Sequence, residues 1–229
     1  MSGDPKADSH SDAKWRESPK VKAWEQRLKD SGCSLESLEP LNILKKRDGD
    51  LLFALVEAKG RDLEGNPLLP YALLRGPACV VVPVCRNRIT GEKKFLMIHQ
   101  RRIGHGGLSL EFPAGMLDDD LHDPIGTAMR ELEEETGVRV EASSLTPLWD
   151  RPLFSSPGLS DESIYFYSTQ IDLDEKEWSA LQGAETGHAN EGEFITTTLK
   201  TFAEGMSELT SIQPLMGFLL HQRKNGVIA

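Results

Sequence analysis

A glycine turn that leads into an acidic helix, within residues 111–138, constrains the fold more than any other feature of the sequence. Asp123-Pro124 is a typical helix start, and Gly137 is a typical helix end. Between them, apolar residues recur at the spacing that forms one side of a helix: Ile125, Ala128, Met129 and Leu132. The segment therefore predicts a tight turn at Pro113-Ala114-Gly115, followed by an amphipathic helix that packs on a core.

The same helix carries three carboxylates on one side. At about 100° of rotation per residue, Glu131, Glu134 and Glu135 fall within an arc of about 100° beside the apolar positions. Like charges at this spacing destabilise a helix by a few tenths of a kcal/mol per pair, and a divalent cation would neutralise them. Hard oxygen ligands suit Mg²⁺ or Mn²⁺ better than zinc. A solvated acidic helix face is the alternative that these residues alone leave open.

Residues 130–138, with the sequence RELEEETGV, resemble the REUXEEXGU half of the Nudix box, in which U is a bulky aliphatic residue. Gly115 matches the glycine that opens the box. The resemblance covers about residues 76–229. It implies the mixed-sheet Nudix fold, an α/β/α sandwich of α+β type, here preceded by a small N-terminal β-rich module. It also implies a hydrolase that uses a divalent metal to cleave a nucleoside diphosphate linked to another group.

The first half of the box departs from the family pattern. Fourteen residues, 116–129, separate Gly115 from Arg130, whereas the family has thirteen. A glutamate expected in this interval is replaced by Leu121 or by His122, depending on the end from which one counts. The insertion falls at Asp118-Asp119-Asp120, so we expect an altered loop and an intact metal-binding half.

The resemblance implies a set of metal ligands. Glu131, Glu134 and Glu135 would hold Mg²⁺ or Mn²⁺, with the Ala114 carbonyl as a further candidate ligand. Glu134 is also counted among the catalytic residues. Arg130 would pair with carboxylates of the cluster and hold them in position.

Other candidate site residues lie outside the box. In the ADP-ribose branch of the family, a glutamate on a late loop acts as general base, and Glu193 is slightly favoured over Glu191 here. A pair of surface glutamates is the alternative. Arg102 and Glu111 are candidates for contacts with the diphosphate or the distal sugar, or for a surface ion pair, and Glu162 is a further candidate for substrate binding.

Three features resemble the branch that cleaves ADP-ribose and ADP-sugars, and most of all plant-type ADP-sugar diphosphatases. They are an extension that ends at Arg75-Gly76-Pro77-Ala78, Gln100-x-Arg102 followed by residues 110–120, and Gly183-x-Glu185-Thr186-Gly187 leading to residues 191–195. We therefore expect hydrolysis of an ADP-sugar, such as ADP-glucose, to AMP and a sugar 1-phosphate. ADP-ribose, which would give AMP and ribose 5-phosphate, is the alternative. A nucleotide-binding domain without catalysis is less favoured, because all three box carboxylates are present.

Composition and the positions of glycine and proline predict the domain organisation. Residues 1–17 are polar and predict a disordered tail, residues 18–75 a helix and a β module, and residues 76–229 the Nudix domain. Strands are expected at 78–84, 94–100, 146–151, 163–170 and 194–199, and helices at about 174–182 and 211–223. Related enzymes commonly pair through such a β module, so the resemblance implies a homodimer.

The charge balance limits the partners. Acidic residues number 36 and basic residues 26, a net charge of −10, which argues against binding to nucleic acid phosphates. No apolar run has the length of a membrane span. The N-terminal stretch lacks an apolar signal core and is rich in acidic residues, and the three cysteines show no CxxC spacing. We therefore expect a cytoplasmic protein with no membrane partner and a small nucleotide-sugar substrate.

Overall fold

The computed structural model describes residues 13–118, 120–187 and 194–228. The chain forms two compact units. Unit 1 comprises Met1–Pro77 together with Phe154–Ser163, and unit 2 comprises Ala78–Leu153 together with Ile164–Ala229. Residues 154–163 were expected in the second domain. They instead belong to unit 1, where the Leu73 N–H donates to the Leu159 carbonyl.

Unit 1 is a three-stranded antiparallel sheet packed with a helix. Its elements are a 3₁₀ helix (Ala13–Glu17), α1 (Pro19–Asp30), β1 (Ser34–Lys45), β2 (Leu51–Arg61) and β3 (Tyr71–Leu74), with sheet order β1-β2-β3. Residues 13–17 were expected to be disordered, but Trp15 is only 5% exposed and packs in the apolar core of this unit with Val21. Residues 1–12 lie outside the described part of the chain.

Unit 2 is built on a mixed sheet. Its strands are β4 (Ala78–Asn87), β5 (Lys93–Arg102), β6 (Gly107–Glu111), β7 (Ala114–Met116), β8 (Thr146–Pro147), β9 (Leu153–Phe154), β10 (Ser163–Leu173), β11 (Glu185–Thr186) and β12 (Ile195–Lys200), of which β9 and β10 each include one residue counted with unit 1. The main order is β11-β12-β5-β4-β10-β8, with β6 paired to β5 and β7 to β4. Strand β10 runs parallel to β4, whereas β5 runs antiparallel to it, which confirms the expected mixed sheet.

Helices cover both faces of this sheet. They are α2 (Pro124–Thr136), α3 (Glu175–Ala180), α4 (Phe202–Glu208) and α5 (Ile212–Lys224). Successive residues of a strand point to opposite faces. Accordingly, Val80 and Val82 of β4 pack with Phe218 of α5, whereas Val81 packs with Leu132 of α2. The α/β/α sandwich is therefore confirmed.

Some expected elements differ in the structure. The strand expected at 146–151 is only Thr146–Pro147, and the residues that follow it form bends, although the Leu148 N–H still donates to the Phe166 carbonyl. Helix α4 was not expected, although Thr201 and Glu204 form a capping box at its start. Ile125 was expected on the buried side of α2, but it is 36% exposed. The fully buried residues of this helix, Ala128 and Leu132, lie further along it. No helix in the described part of the chain is long and apolar enough to cross a membrane.

Candidate active site

The acidic helix α2 is fixed at both ends by its own sequence. At its start, the Gly126 N–H donates to the Asp123 carboxylate at 2.8 Å. At its end, Gly137 has a φ of 74°, a left-handed conformation that suits glycine, and its N–H donates to the Glu133 carbonyl. Ala128 and Leu132 are fully buried against the sheet. This packing sets the rotation of the helix, and with it the directions of the three carboxylates.

Glu135 is the most enclosed of the three carboxylates. It is 5% exposed, and its Oε2 accepts a hydrogen bond from the Ala114 N–H at 2.9 Å. Its backbone carbonyl accepts a second hydrogen bond, from the Thr186 hydroxyl at 2.6 Å. Glu135 thus contacts strand β7 through its side chain and strand β11 through its backbone.

Glu131 lies directly over the glycine of the turn. A β-carbon built on Gly115 would stand 2.0 Å from the Glu131 carboxyl carbon. The Arg130 Nη2 is 3.5 Å from the Glu131 Oε1, so the arginine lies beside the carboxylate as expected. The absence of a side chain at Gly115 is what gives the Glu131 carboxylate its place.

Ala114 presents its backbone to the helix side of the turn. The Val81 N–H donates to the Pro113 carbonyl, and Val80 is the register partner of Ala114. Ala114 therefore occupies a non-hydrogen-bonded position of the β4–β7 ladder, where both its N–H and its C=O point away from β4. The N–H reaches Glu135, and the carbonyl oxygen is directed to the same side.

The carboxylate set fits a hard cation in its chemistry. Glu134 is exposed, and its carboxylate has no hydrogen-bond or ion-pair partner among the described residues. Glu131 and Glu135 both turn toward the Ala114-Gly115 backbone. Within the described ranges, no group of three or more His, Cys, Asp or Glu is placed to hold a metal ion. The metal ligands therefore stay a prediction.

A buried thiol lies next to this site. Burial raises the pKa of the Cys79 thiol to about 12, and the carboxylates of Glu131 and Glu135 contribute to the same shift. Cys79 is the register partner of Gly115. The thiol is thus a neutral group at physiological pH and adds no charge to the acidic side of the turn.

Arg102 and Glu111 form a two-pronged ion pair on the sheet of unit 2. Arg102 Nη2 is 2.8 Å from Glu111 Oε2, and its Nε is 3.1 Å from Oε1. The Arg–Glu pair that the sequence left open as the alternative is therefore present, with its carboxylate 5% exposed and its arginine at the surface. The carboxylate fixes the guanidinium plane, while the arginine side chain keeps 42% of its exposure.

Two buried polar residues, Gln100 and Ser109, lie on the same face of the sheet as this ion pair, and no role was expected for their side chains. On β5 and β6, Arg102 is the register partner of Gly107, and Glu111 is the register partner of Ile98. The two charged residues are therefore separated by four residue steps along the strands, about 13 Å, and their side chains span this distance. Gln100 and Ser109 face each other inside this span and are 6% and 2% exposed. In the described part of the chain, the Gln100 Oε1 has no hydrogen-bond partner.

Glu162 and its neighbour Asp161 are held by contacts within unit 1. Glu162 accepts a hydrogen bond from Ser155 at 2.6 Å and pairs with Arg75 at 3.0 Å. Asp161 accepts from the backbone N–H groups of Arg75 and Gly76 at 2.7 and 3.0 Å, and from Arg27 at 3.0 Å. The substrate contact assigned to Glu162 stays a prediction. The two candidate bases, at 191 and 193, lie outside the described residues.

Comparison with known proteins places the chain among nucleotide hydrolases. The NUDIX domain model matches residues 75–198. Nudix hydrolase 14, chloroplastic, from Arabidopsis thaliana is 33% identical over 217 residues, which are 88% of this chain and 68% of that protein. The ADP-ribose pyrophosphatase of Bacillus subtilis (strain 168) is 28% identical over 179 residues, 77% of this chain and 86% of that protein. The ADP-sugar pyrophosphatase of Mus musculus is 34% identical over 98 residues, 43% of this chain and 42% of that protein.

The fold has a counterpart among solved structures. The crystal structure of an ADP compounds hydrolase matches with a TM-score of 0.57 at 16% identity, over 86% of this chain and 97% of the other. At this identity the match supports the fold alone. The domain model covers more than half of the chain and contains the helix with its three carboxylates. The chain therefore belongs to the Nudix family.

Proposed function

We propose that this protein hydrolyses the diphosphate bond of an ADP-sugar, such as ADP-glucose, to AMP and a sugar 1-phosphate. The observation that carries the proposal is the convergence of Glu131 and Glu135 on the Ala114-Gly115 backbone, within a matched NUDIX domain. The names of the relatives support the substrate class, since they include an ADP-sugar pyrophosphatase and an ADP-ribose pyrophosphatase.

In this proposal Mg²⁺ or Mn²⁺ is held by Glu131, Glu134, Glu135 and the Ala114 carbonyl. When bound, such a cation neutralises the diphosphate oxygens and lowers the pKa of a bound water. Glu135 is fixed by the Ala114 N–H, and the exposed Glu134 is accessible to an incoming ligand. Glu135 has a hydrogen-bond partner in the fold, whereas Glu134 has none among the described residues. Substitution of Glu135 should therefore lower the free energy of unfolding more than substitution of Glu134.

Two further roles complete the proposal. Arg102 is oriented by Glu111 and would direct its planar donors to a diphosphate, a geometry in which arginine engages two oxygens at once. Glu193 is our first choice for the general base and Glu191 our second. Glu162 is proposed as a contact to the substrate.

ADP-ribose is the second candidate substrate. It is favoured by the Bacillus subtilis ADP-ribose pyrophosphatase, which matches 77% of this chain. The bond cleaved is the same in both cases, and a few hydrogen bonds to the sugar decide the preference. The homodimer and the cytoplasmic location also stay predictions. The Arabidopsis relative carries the word chloroplastic in its name.

The test is a parallel assay of ADP-glucose and ADP-ribose with Mg²⁺, in which AMP is measured by chromatography. AMP from ADP-glucose at an equal or higher kcat/KM supports the ADP-sugar proposal. AMP from ADP-ribose alone assigns the second candidate and leaves the metal and carboxylate roles in place. AMP from neither substrate, with both nucleotides bound in calorimetry, would favour a binding domain without catalysis. A sample with EDTA reports the metal requirement.

A further inference from the structure

The last turn of α2 has backbone carbonyls that the helix itself cannot satisfy. The final four carbonyls of any α-helix lack intrahelical donors. In α2, the Glu133 carbonyl accepts from the Gly137 N–H, within the cap of the helix. The Glu135 carbonyl accepts from outside the helix, from the Thr186 hydroxyl at 2.6 Å. Thr186 is thus a side chain from another element that satisfies the end of α2.

Thr186 is itself anchored in the sheet. It is the register partner of Ile195 on β12, and Ile195 is only 2% exposed. Ile195 is in turn the register partner of Gln100 on β5. The Thr186 hydroxyl therefore connects the last turn of α2 to the central strands of unit 2 through backbone ladders.

The consequence for Glu135 is attachment at two points. Its carboxylate accepts from Ala114 on β7, and β7 pairs with β4. Its backbone carbonyl accepts from Thr186 on β11, and β11 pairs with β12. Strands β4 and β12 lie on opposite sides of β5 in the sheet. Two contacts that far apart fix both the position and the rotation of the last helical turn, which neither contact alone can do.

We propose that Thr186 is a positioning residue for metal binding, which acts through the backbone of Glu135 to hold the α2 carboxylates against the Ala114-Gly115 turn. The inference rests on the proposed function, because it takes these carboxylates as the metal ligands. Loss of the hydroxyl leaves the Glu135 carbonyl without this donor and lets the last turn shift. Metal affinity falls because the proposed ligands on that turn, Glu134 and Glu135, are no longer held in place against the Ala114-Gly115 turn.

The test is Mn²⁺ binding to the full-length protein without nucleotide, measured by electron paramagnetic resonance of free Mn²⁺. Thr186→Val keeps the shape of the side chain and removes the donor, and we expect a fivefold to thirtyfold rise in Kd. Thr186→Ser keeps the donor, and its Kd should stay within twofold of the wild type. The Thr186→Ala and Thr186→Ser pair repeats the comparison with smaller side chains, should the valine variant be too unstable to purify.

Thr197 offers a matched control. Its hydroxyl donates to the Leu181 carbonyl at 2.7 Å, which is the same kind of bond at the end of α3. Thr197→Val should lower the thermal midpoint without changing the Kd for Mn²⁺. An equal Kd for Thr186→Val and the wild type, or equal losses in Thr186→Val and Thr197→Val, would overturn the inference. A wild-type protein that binds no Mn²⁺ would instead overturn the metal site of the proposed function.

Discussion

The Glu131 carboxylate occupies the space in which a side chain at position 115 would begin. A β-carbon on Gly115 would lie 2.0 Å from the Glu131 carboxyl carbon and 2.2 Å from its Oε1. Such distances are far inside van der Waals contact, so a residue with a β-carbon at position 115 and Glu131 in its present rotamer exclude each other. The glycine that opens the Nudix box thus has a steric function, which is to admit the carboxylate to the turn.

Gly115→Ala should therefore impair catalysis more than folding. The flexible Glu131 side chain can rotate away from the new methyl group, so we expect only a small change in the thermal midpoint. Displacement of a catalytic group by about 1 Å costs about a hundredfold in rate, and we expect a fall in kcat/KM of that order. Steady-state kinetics and a thermal melt measure the two effects. Gly126→Ala is the control, because its β-carbon would meet the Asp123 cap at 2.0 Å and not a site carboxylate.

Glu134→Gln separates catalysis from stability in a second way. The Glu134 carboxylate has no partner among the described residues, so its loss should change the free energy of unfolding by less than about 0.5 kcal/mol. Because Glu134 is a proposed metal ligand, Glu134→Gln should lower kcat at least about a hundredfold. That loss is at or above the one caused by removing a residue that only hydrogen-bonds to a metal ligand. Glu133→Gln is the matched control on the same helix, because Glu133 is not a proposed metal ligand and its carboxylate pairs with Arg139 at 2.6 Å. Equal activity in the two variants would remove Glu134 from the site.

Local signals in the sequence were sufficient to predict α2. Its N-cap is Asp123 and its C-cap Gly137, as expected, because both act through neighbouring backbone groups. Helix α4 has a comparable local signal, the capping box of Thr201 and Glu204, so it too was predictable from the sequence. Burial along α2 was less well predicted. Ile125 is exposed, since the extent of the contact surface depends on the sheet that the helix meets.

Long-range pairings could not be predicted from the sequence. The ladder between β3 and residues 159–161 joins segments more than 80 residues apart, and no local pattern encodes it. The same is true of Gln100, which is 6% exposed and lies between its register partners Ile195 on β12 and Ser109 on β6. The carboxylates of α2 could be predicted because one helix carries them. The contacts of Glu135 with two separate strands required the folded sheet.

Stability should fall at alkaline pH in part because of Cys85. Burial raises the pKa of this thiol to about 12, whereas the unfolded chain releases the same proton near pH 8.5. The folded state therefore holds the proton more tightly, and its advantage is complete below pH 8.5 and is lost as pH rises toward 12. One such thiol contributes a slope of at most about 1.4 kcal/mol per pH unit. Urea unfolding at pH 8, 9 and 10 should show a shallower decline in Cys85→Ala, and an unchanged decline would contradict the assignment.

Asp161 should matter for the stability of unit 1 far more than its neighbour Glu162. The Asp161 side chain is 1% exposed and accepts from two backbone N–H groups and from Arg27, so Asp161→Ala leaves buried donors without an acceptor. We expect a loss of about 3 kcal/mol in the free energy of unfolding, and about half of that for Asp161→Asn, which keeps one acceptor oxygen. Glu162→Gln should cost less than about 1 kcal/mol, because its partner Arg75 is 37% exposed. Urea unfolding measures all three, and the KM for the nucleotide substrate tests Glu162 separately. Equal losses in Asp161→Ala and Glu162→Gln would show that burial of the Asp161 carboxylate is not what stabilises this segment.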